Sequence, residues 1–230
     1  MEQRVKTHIP GFDKLIEGGF PTNSNIMISG GAGTGKTIFS LQYLYNGATI
    51  DKETGIYFTF EEKKESLYKQ AKQFGWDLEK LEKQKKLKII SIGINDIEKS
   101  TIEDIISIIK SLKAKRVVID SITTLSYLTP ENNHENIITK YSIKKYLYTV
   151  LTKFKELKDI TTIFISQKDE QIPNTIAEYI CDGVIFIKSE TMGGEFSRRI
   201  NIEKMRRVKN NSDIHALEIS NKGIVIHNIM

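Results

Sequence analysis

One run, Ser29-Gly30-Gly31-Ala32-Gly33-Thr34-Gly35-Lys36-Thr37, constrains this chain more than any other. It fits the pattern G-x-x-x-x-G-K-[ST] at Gly30, Gly35, Lys36 and Thr37. A strand-like stretch, Asn25-Ile26-Met27-Ile28-Ser29, precedes it, and a helix-like stretch opens at Thr37. Strand, glycine-rich turn and helix in that order make an anion cradle: the backbone curls so that successive amide hydrogens point inward, and the helix adds the positive end of its dipole. The amides from Gly30 through Gly31, Ala32, Gly33, Thr34 and Gly35 would face phosphate oxygens, Lys36 would reach the β- and γ-phosphates, and the Thr37 hydroxyl would ligate Mg²⁺. The pattern predicts binding of a nucleoside triphosphate.

The remainder of the chain alternates between strand and helix signals. After the loop, Ile38, Leu41 and Tyr45 recur at helical spacing, and Gly55-Ile56-Tyr57-Phe58-Thr59-Phe60 reads as a buried strand that delivers Glu61 and Glu62. Leu67, Ala71 and Phe74 mark a helix stopped by Gly75, and Leu87-Lys88-Ile89-Ile90-Ser91 a further strand. Ser100-x-x-Glu103 has the form of a capping box, opening a helix with Ile102, Ile105, Ile106, Ile109 and Leu112 on one face. Arg116-Val117-Val118-Ile119-Asp120 is an apolar strand ending in an acid, followed by a connection from Ser121 to Asn136 around Pro130. A long helix then aligns Ile143, Tyr146, Leu147, Val150, Leu151, Phe154 and Leu157, and the strand Thr161 to Ser166 ends at Gln167. Beyond Asp182 come short strands around Val184–Ile187, Arg199–Glu203, His215–Ile219 and Gly223–Ile226. The expected class is α/β: a central, mostly parallel sheet flanked by helices, with antiparallel C-terminal strands.

With 39% hydrophobic and 27% charged residues, the 230 residues are expected to form one globular domain, 1–230. No apolar run approaches the roughly 20 residues of a membrane span, and the first residues lack the form of a signal peptide, so a cytoplasmic location is expected. The lone Cys181 reads as a small buried residue, and His8, His134, His215 and His227 lack metal spacing. A net charge of +5 permits contact with nucleic acid without demanding it, because the lysines are scattered over most predicted faces.

A bound triphosphate needs a metal, a water activator and a charge stabiliser, and strand ends offer each. Asp120 suits the second acid that holds Mg²⁺, directly or through its water shell. Glu61 or Glu62 could polarise the attacking water; adjacent acids on extended backbone point to opposite sides, and Glu61, nearer the strand, is the expected one. Gln167 could sense the γ-phosphate and relay it to the loop from Lys168 to Thr175. In Lys204-Met205-Arg206-Arg207, an extended backbone would put Lys204 and Arg206 on one face, either as cations for a transition state or as a charged strand edge.

Taken together, these residues resemble the KaiC-like branch of the RecA/RadA ATPase superfamily. The likeness is carried by His8-Ile9-Pro10-Gly11-Phe12-Asp13, Gly30 to Thr37, Leu41 to Gly47, Thr59-Phe60-Glu61-Glu62, Phe74-Gly75-Trp76-Asp77-Leu78, Val118-Ile119-Asp120-Ser121 and Lys204-Met205-Arg206. The resemblance implies a RecA-like core that binds ATP and Mg²⁺ at the interfaces of a homo-oligomer, usually a hexameric ring. It makes Glu61 and Glu62 the catalytic glutamates and sets Lys204 and Arg206 on the neighbouring subunit's γ-phosphate. The turn Asn221-Lys222-Gly223 resembles the region that closes over a neighbour's nucleotide, with Asn221 where an acid often stands.

There are also departures. Clock proteins of this branch carry two such cores and adjacent phosphorylated Ser and Thr, whereas this chain has one core and Glu178-Tyr179 at that place. The F-x-x-A motif of recombinases is missing, and the stretch Lys168 to Thr175 is short and holds two acids, so strand exchange on DNA is not favoured. Three functions remain open: an oligomeric ATPase coupled to conformation or a protein partner, a nucleotide-dependent regulatory module that does not hydrolyse, and a repair accessory that binds single-stranded DNA.

Overall fold

The chain's apolar runs form strands covered on both faces. The computed structural model describes residues 3–98, 100–125, 140–167, 175–189 and 198–227. The six parallel strands are β3 (Asn25–Gly30), β4 (Gly55–Thr59), β5 (Leu87–Ser91), β6 (Arg116–Asp120), β7 (Thr161–Gln167) and β8 (Gly183–Ser189), joined edge to edge in the order β8-β3-β7-β6-β4-β5. β9 (Arg198–Met205), β10 (Ile214–Ser220) and β11 (Gly223–His227) extend the β8 edge antiparallel, giving a nine-stranded sheet among the described residues. A separate two-stranded ribbon pairs β1 (Arg4–Val5) with β2 (Phe20–Pro21). This is the predicted α/β architecture.

The period of two along each strand divides the core into two layers. Ile26, Ile28, Tyr57, Val118, Ile163 and Ile165 face one way, and there they meet Phe39, Leu41 and Leu44 of α1 (Lys36–Asn46) and Leu67 and Ala71 of α2 (Lys64–Lys72). Met27, Ile56, Phe58, Val117, Ile119 and Phe164 face the other way. They meet Ile105 and Ile109 of α4 (Thr101–Ser111) and Val150, Leu151 and Phe154 of α6 (Lys140–Lys155). Burying each such side chain contributes roughly 1.5–3 kcal/mol before the entropy of ordering is set against it.

Several local expectations change in the fold. The helix after the loop buries Phe39, Tyr43 and Leu44 fully, while Ile38 and Tyr45 are only partly covered. α1 lies between the sheet, the N-terminal segment and β11, so more than one face is dry. The Ser100 capping box does not form: Ser100 makes no side-chain cap bond, Thr101 Oγ1 instead accepts from the Glu98 amide at 2.8 Å, and Glu103 pairs with Lys153 of α6. Leu112, assigned to the apolar face, is 42% exposed at the helix end. Three short helices are not predicted by the pattern, α3 (Leu78–Lys83), capped by Asp77 through the Lys80 amide at 2.9 Å, α5 (Ile122–Leu125) and α7 (Thr175–Ile180). Each is too short for a periodic signal. Pro130 and most of the Ser121–Asn136 connection, and Lys168 to Asn174, lie outside the described residues.

The opening run His8 to Asp13 acts through the Asp13 carboxylate. It accepts from the Thr7 amide (2.9 Å), the Thr7 hydroxyl (2.7 Å) and the His8 amide (3.0 Å), while Phe12 sets its ring edge-on to Phe20 and Phe39. The segment is thereby fastened onto α1. On the same side lies Arg116, 1% exposed, which donates to Glu53 (2.6 Å), Asp51 (2.5 Å) and the Tyr43 carbonyl (3.0 Å) and covers the Tyr43 ring. Trp76 packs between Phe74 and Tyr45, and Gln42 brackets Ile224 by accepting from its amide at 2.7 Å and donating to its carbonyl at 3.2 Å. These contacts lay β11 against α1 and so bring the β10–β11 turn toward the phosphate loop.

Candidate functional site

Parallel strands bring their C-terminal ends to one edge of the sheet, and the candidate site is built there. β3 ends at Gly30, and the loop passes through exposed Gly31, Ala32 and Gly33 into α1. Gly35, the residue that caps α1, has φ of 107°, a conformation only glycine adopts without strain. Thr34 Oγ1 donates to the Gly31 carbonyl at 3.0 Å and braces the turn. Lys36 folds back over the loop, its ammonium donating to the carbonyls of Gly30 (2.8 Å) and Gly31 (2.7 Å). Burial pulls its pKa below the ordinary lysine value, opposed by the charges of Asp120 and Glu61. A phosphate entering the cradle would take over this ammonium and meet the free amides at the start of an eleven-residue helix.

Asp120 ends β6 two strands away, and its Oδ2 accepts from the Tyr57 hydroxyl at 2.5 Å and from Thr37 Oγ1 at 3.5 Å. Burial raises the carboxyl to about 6, offset in part by the Tyr57 hydrogen bond. No group of three His, Cys, Asp or Glu side chains suited to a metal occurs among the described residues. A hydroxyl and one carboxylate converging beside a phosphate cradle nevertheless fit Mg²⁺, a hard cation that keeps most of its waters and takes its other ligands from phosphates. Thr37 and Asp120 could hold it.

The paired glutamates separate. Glu61 turns into the site, where Oε1 accepts from Thr124 Oγ1 (2.5 Å) and Ser121 Oγ (3.2 Å) and Oε2 accepts from the Gln167 side-chain amide (3.1 Å). Glu62 turns away toward α2, accepting from Gln70 (2.8 Å) and Ser66 (3.1 Å). Gln167 ends β7, and its backbone amide donates to Thr123 Oγ1 at 3.1 Å. Thr123, Thr124 and Tyr57 beneath Asp120 are not singled out by the sequence, and Ser121 enters there only as part of the family motif, with no role. Nothing in their spacing marks them, because each acts across strands.

Lys204 and Arg206 do share a patch, but it lies at the other end of the sheet. Lys204 donates to the carbonyls of Glu178 (2.6 Å) and Tyr179 (3.3 Å) at the end of α7, and Arg206 to that of Tyr179 (2.9 Å). The Arg206 amide donates to Asp182, whose amide in turn donates to Asn25, so Arg206 stands level with the foot of β3. The phosphate loop begins at the head of that six-residue strand, about 16 Å further along. Asn221 is exposed in the β10–β11 turn, whose flanking residues Ile219 and Ile224 lie against Gly35 of the same chain. That turn therefore sits beside its own phosphate loop. Arg198, at the start of β9, also reaches the loop, its guanidinium 3.4 Å from the Gly33 carbonyl.

The family model for the KaiC ATPase matches residues 5–230. A UPF0273 protein of Thermotoga maritima is 35% identical over 99% of this chain and 97% of its own length, and one of Sulfurisphaera tokodaii is 34% identical over 97% of this chain and 82% of its own. The circadian clock oscillator protein KaiC of Prochlorococcus marinus is 32% identical over 89% of this chain, which spans only 42% of that longer protein. Among solved structures, a KaiC-like protein of the archaeon Pyrococcus horikoshii superposes with a TM-score of 0.85 at 34% identity, covering 99% of this chain and all of the other. With its cradle at the head of β3, its acid at the end of β6 and a match along nearly its full length, the chain belongs to the KaiC-like family of nucleotide-binding P-loop ATPases on the RecA fold.

Proposed function

We propose that this chain is a Mg²⁺-dependent ATPase that works as a homo-oligomer, a ring of six by resemblance to its family, with each site shared between neighbours. The observation that carries this is the placement of the two halves of the chemistry. Lys36, Thr37, Asp120, Glu61 and Gln167 converge at the head of the parallel strands, while Lys204 and Arg206 lie at the foot. A chain cannot fold its own foot onto its own head, so a phosphate held by one copy meets these cations only from another.

Within one copy, the loop amides and Lys36 bind the β- and γ-phosphates, and Thr37 and Asp120 hold the ion. Held by Thr37 and Asp120, Mg²⁺ would supply charge neutralisation to the phosphates. Glu61 orients and polarises the attacking water, and Gln167, bonded to Glu61, is placed to respond to the γ-phosphate. Asn221 and the β10–β11 turn line the cradle of their own chain. Lys204 and Arg206 of a neighbour complete the charge stabilisation. Turnover is slow, and nucleotide state is coupled to the shape of the assembly or to a protein partner.

The test is particle mass together with ATP turnover, with and without Mg²⁺-ATP, for the native chain and Arg206→Ala. An assembly that turns over ATP, beside a variant that assembles but does not, supports the shared site. Assembly with Mg²⁺-ATP and no turnover would instead make the chain a regulatory module. A monomer inert under all conditions would remove the assignment of Lys204 and Arg206. DNA binding is not part of this function, and salt-sensitive binding of single strands would reopen it.

A further inference from the structure

We infer that Tyr57 is a positioning residue for Mg²⁺, its buried hydroxyl fixing the Asp120 carboxylate in the orientation that faces Thr37. The inference rests on the Mg²⁺-nucleotide function proposed above. Tyr57 has no exposed surface and lies in the interior of β4, paired in register with Val118 of β6. Asp120 is two residues beyond Val118 and so on the same face of β6. A diagonal pair of this kind is separated by more than a short side chain spans but lies within reach of an aromatic one. The phenol bridges it, donating to Asp120 Oδ2 at 2.5 Å.

The same oxygen accepts from Thr37 Oγ1 at 3.5 Å, so the phenol, the carboxylate and the hydroxyl form a hydrogen-bonded chain from the core to the phosphate loop. An ionised carboxylate offers about four lone-pair sites. Oδ2 can therefore keep its bond to Tyr57 while the carboxylate presents its remaining sites to the ion or its water shell. The ring of Tyr57 packs in the layer with Val118, Ile163 and Leu41, where a phenylalanine would fill the same space without burying a hydroxyl. What the hydroxyl adds is a fixed direction for Asp120. Outer-shell donors of this kind set the orientation of a ligating group and tune its affinity for the metal.

The experiment is a titration with a fluorescent ATP analogue, for the native chain and Tyr57→Phe, first in chelator and then across a Mg²⁺ series. Tyr57→Phe is expected to bind the analogue in chelator as the native chain does. The Mg²⁺ concentration giving half of the Mg²⁺-dependent tightening is expected to rise roughly tenfold. In an Asp120→Asn background the same substitution is expected to change nothing further. An unchanged Mg²⁺ midpoint, an equal loss of affinity with and without Mg²⁺, or a full effect in the Asp120→Asn background would each overturn the role. Ligand-free melting curves report separately whether the fold is intact. Failure of the native chain to bind the analogue, or to respond to Mg²⁺, would overturn the underlying function, and it shows before any substitution is made.

Discussion

The Gln167 side-chain amide donates to Glu61 Oε2 at 3.1 Å, joining the ends of two strands that are not neighbours in the sheet. With Ser121 and Thr124 on the other oxygen, Glu61 is held at the head of the sheet, whereas Glu62 is held by Ser66 and Gln70 of α2. Two adjacent carboxylates thus face different surroundings, and they should respond differently to loss of charge.

Glu61→Gln is expected to bind nucleotide as the native chain does and to lose turnover by about 10²- to 10⁴-fold, the range for a positioned general base. Glu62→Gln should keep most of its turnover. Single-turnover assays beside nucleotide titrations measure both, and loss confined to Glu62→Gln would exchange the two roles.

Separation of the cradle from Lys204 and Arg206 allows complementation. Lys36→Ala and Arg206→Ala, each inactive alone, are expected to regain turnover when mixed. In a random equal mixture roughly a quarter of interfaces pair an intact cradle with an intact arginine. Removal of the arginine by itself should cost about 10³- to 10⁵-fold. Mixtures no more active than the separate variants would argue that the arginine acts within its own chain.

Gly47 touches Arg116: a Cβ built on it would fall 2.3 Å from Nε and 2.5 Å from Cζ. The guanidinium cannot yield, because Asp51, Glu53 and the Tyr43 carbonyl hold it. Gly47→Ala is expected to destabilise the fold by about 1–3 kcal/mol, as overpacking does. In an Arg116→Ala background that cost should largely vanish, since the two sites are in contact. Denaturant melts of the four proteins measure the coupling.

His215 is 2% exposed, and neither ring nitrogen has a hydrogen-bond partner among the described residues. Burial lowers its pKa, against the opposing charge of Asp213. The folded chain therefore favours the neutral ring, while the unfolded chain takes up a proton near the ordinary value of about 6.5. Stability from this residue is full above that pH and is lost as pH falls below it. His215→Leu is expected to flatten the decline in melting temperature between pH 7 and pH 5. An equally steep decline in the variant would assign it to other groups.

The phosphate loop, the strand-ending Asp120 and the order of strands and helices were legible because each is local. A glycine-rich turn, an apolar run and a helical stripe are set by neighbouring residues and their period, and the opening run, the loop and the paired glutamates together carried the family. The side of the sheet on which each glutamate falls, the phenol beneath Asp120 and the hydroxyls around Glu61 were decided by register between strands far apart in sequence. The capping box failed for the same reason: Glu103 found a better partner in Lys153 of α6, which no local pattern reveals. Lys204 and Arg206 were visible as charges, but their place at the foot of β3 follows only from the antiparallel return of β9 along β8. Local chemistry fixed which groups this chain carries, and long-range pairing across the sheet decided which of them meet.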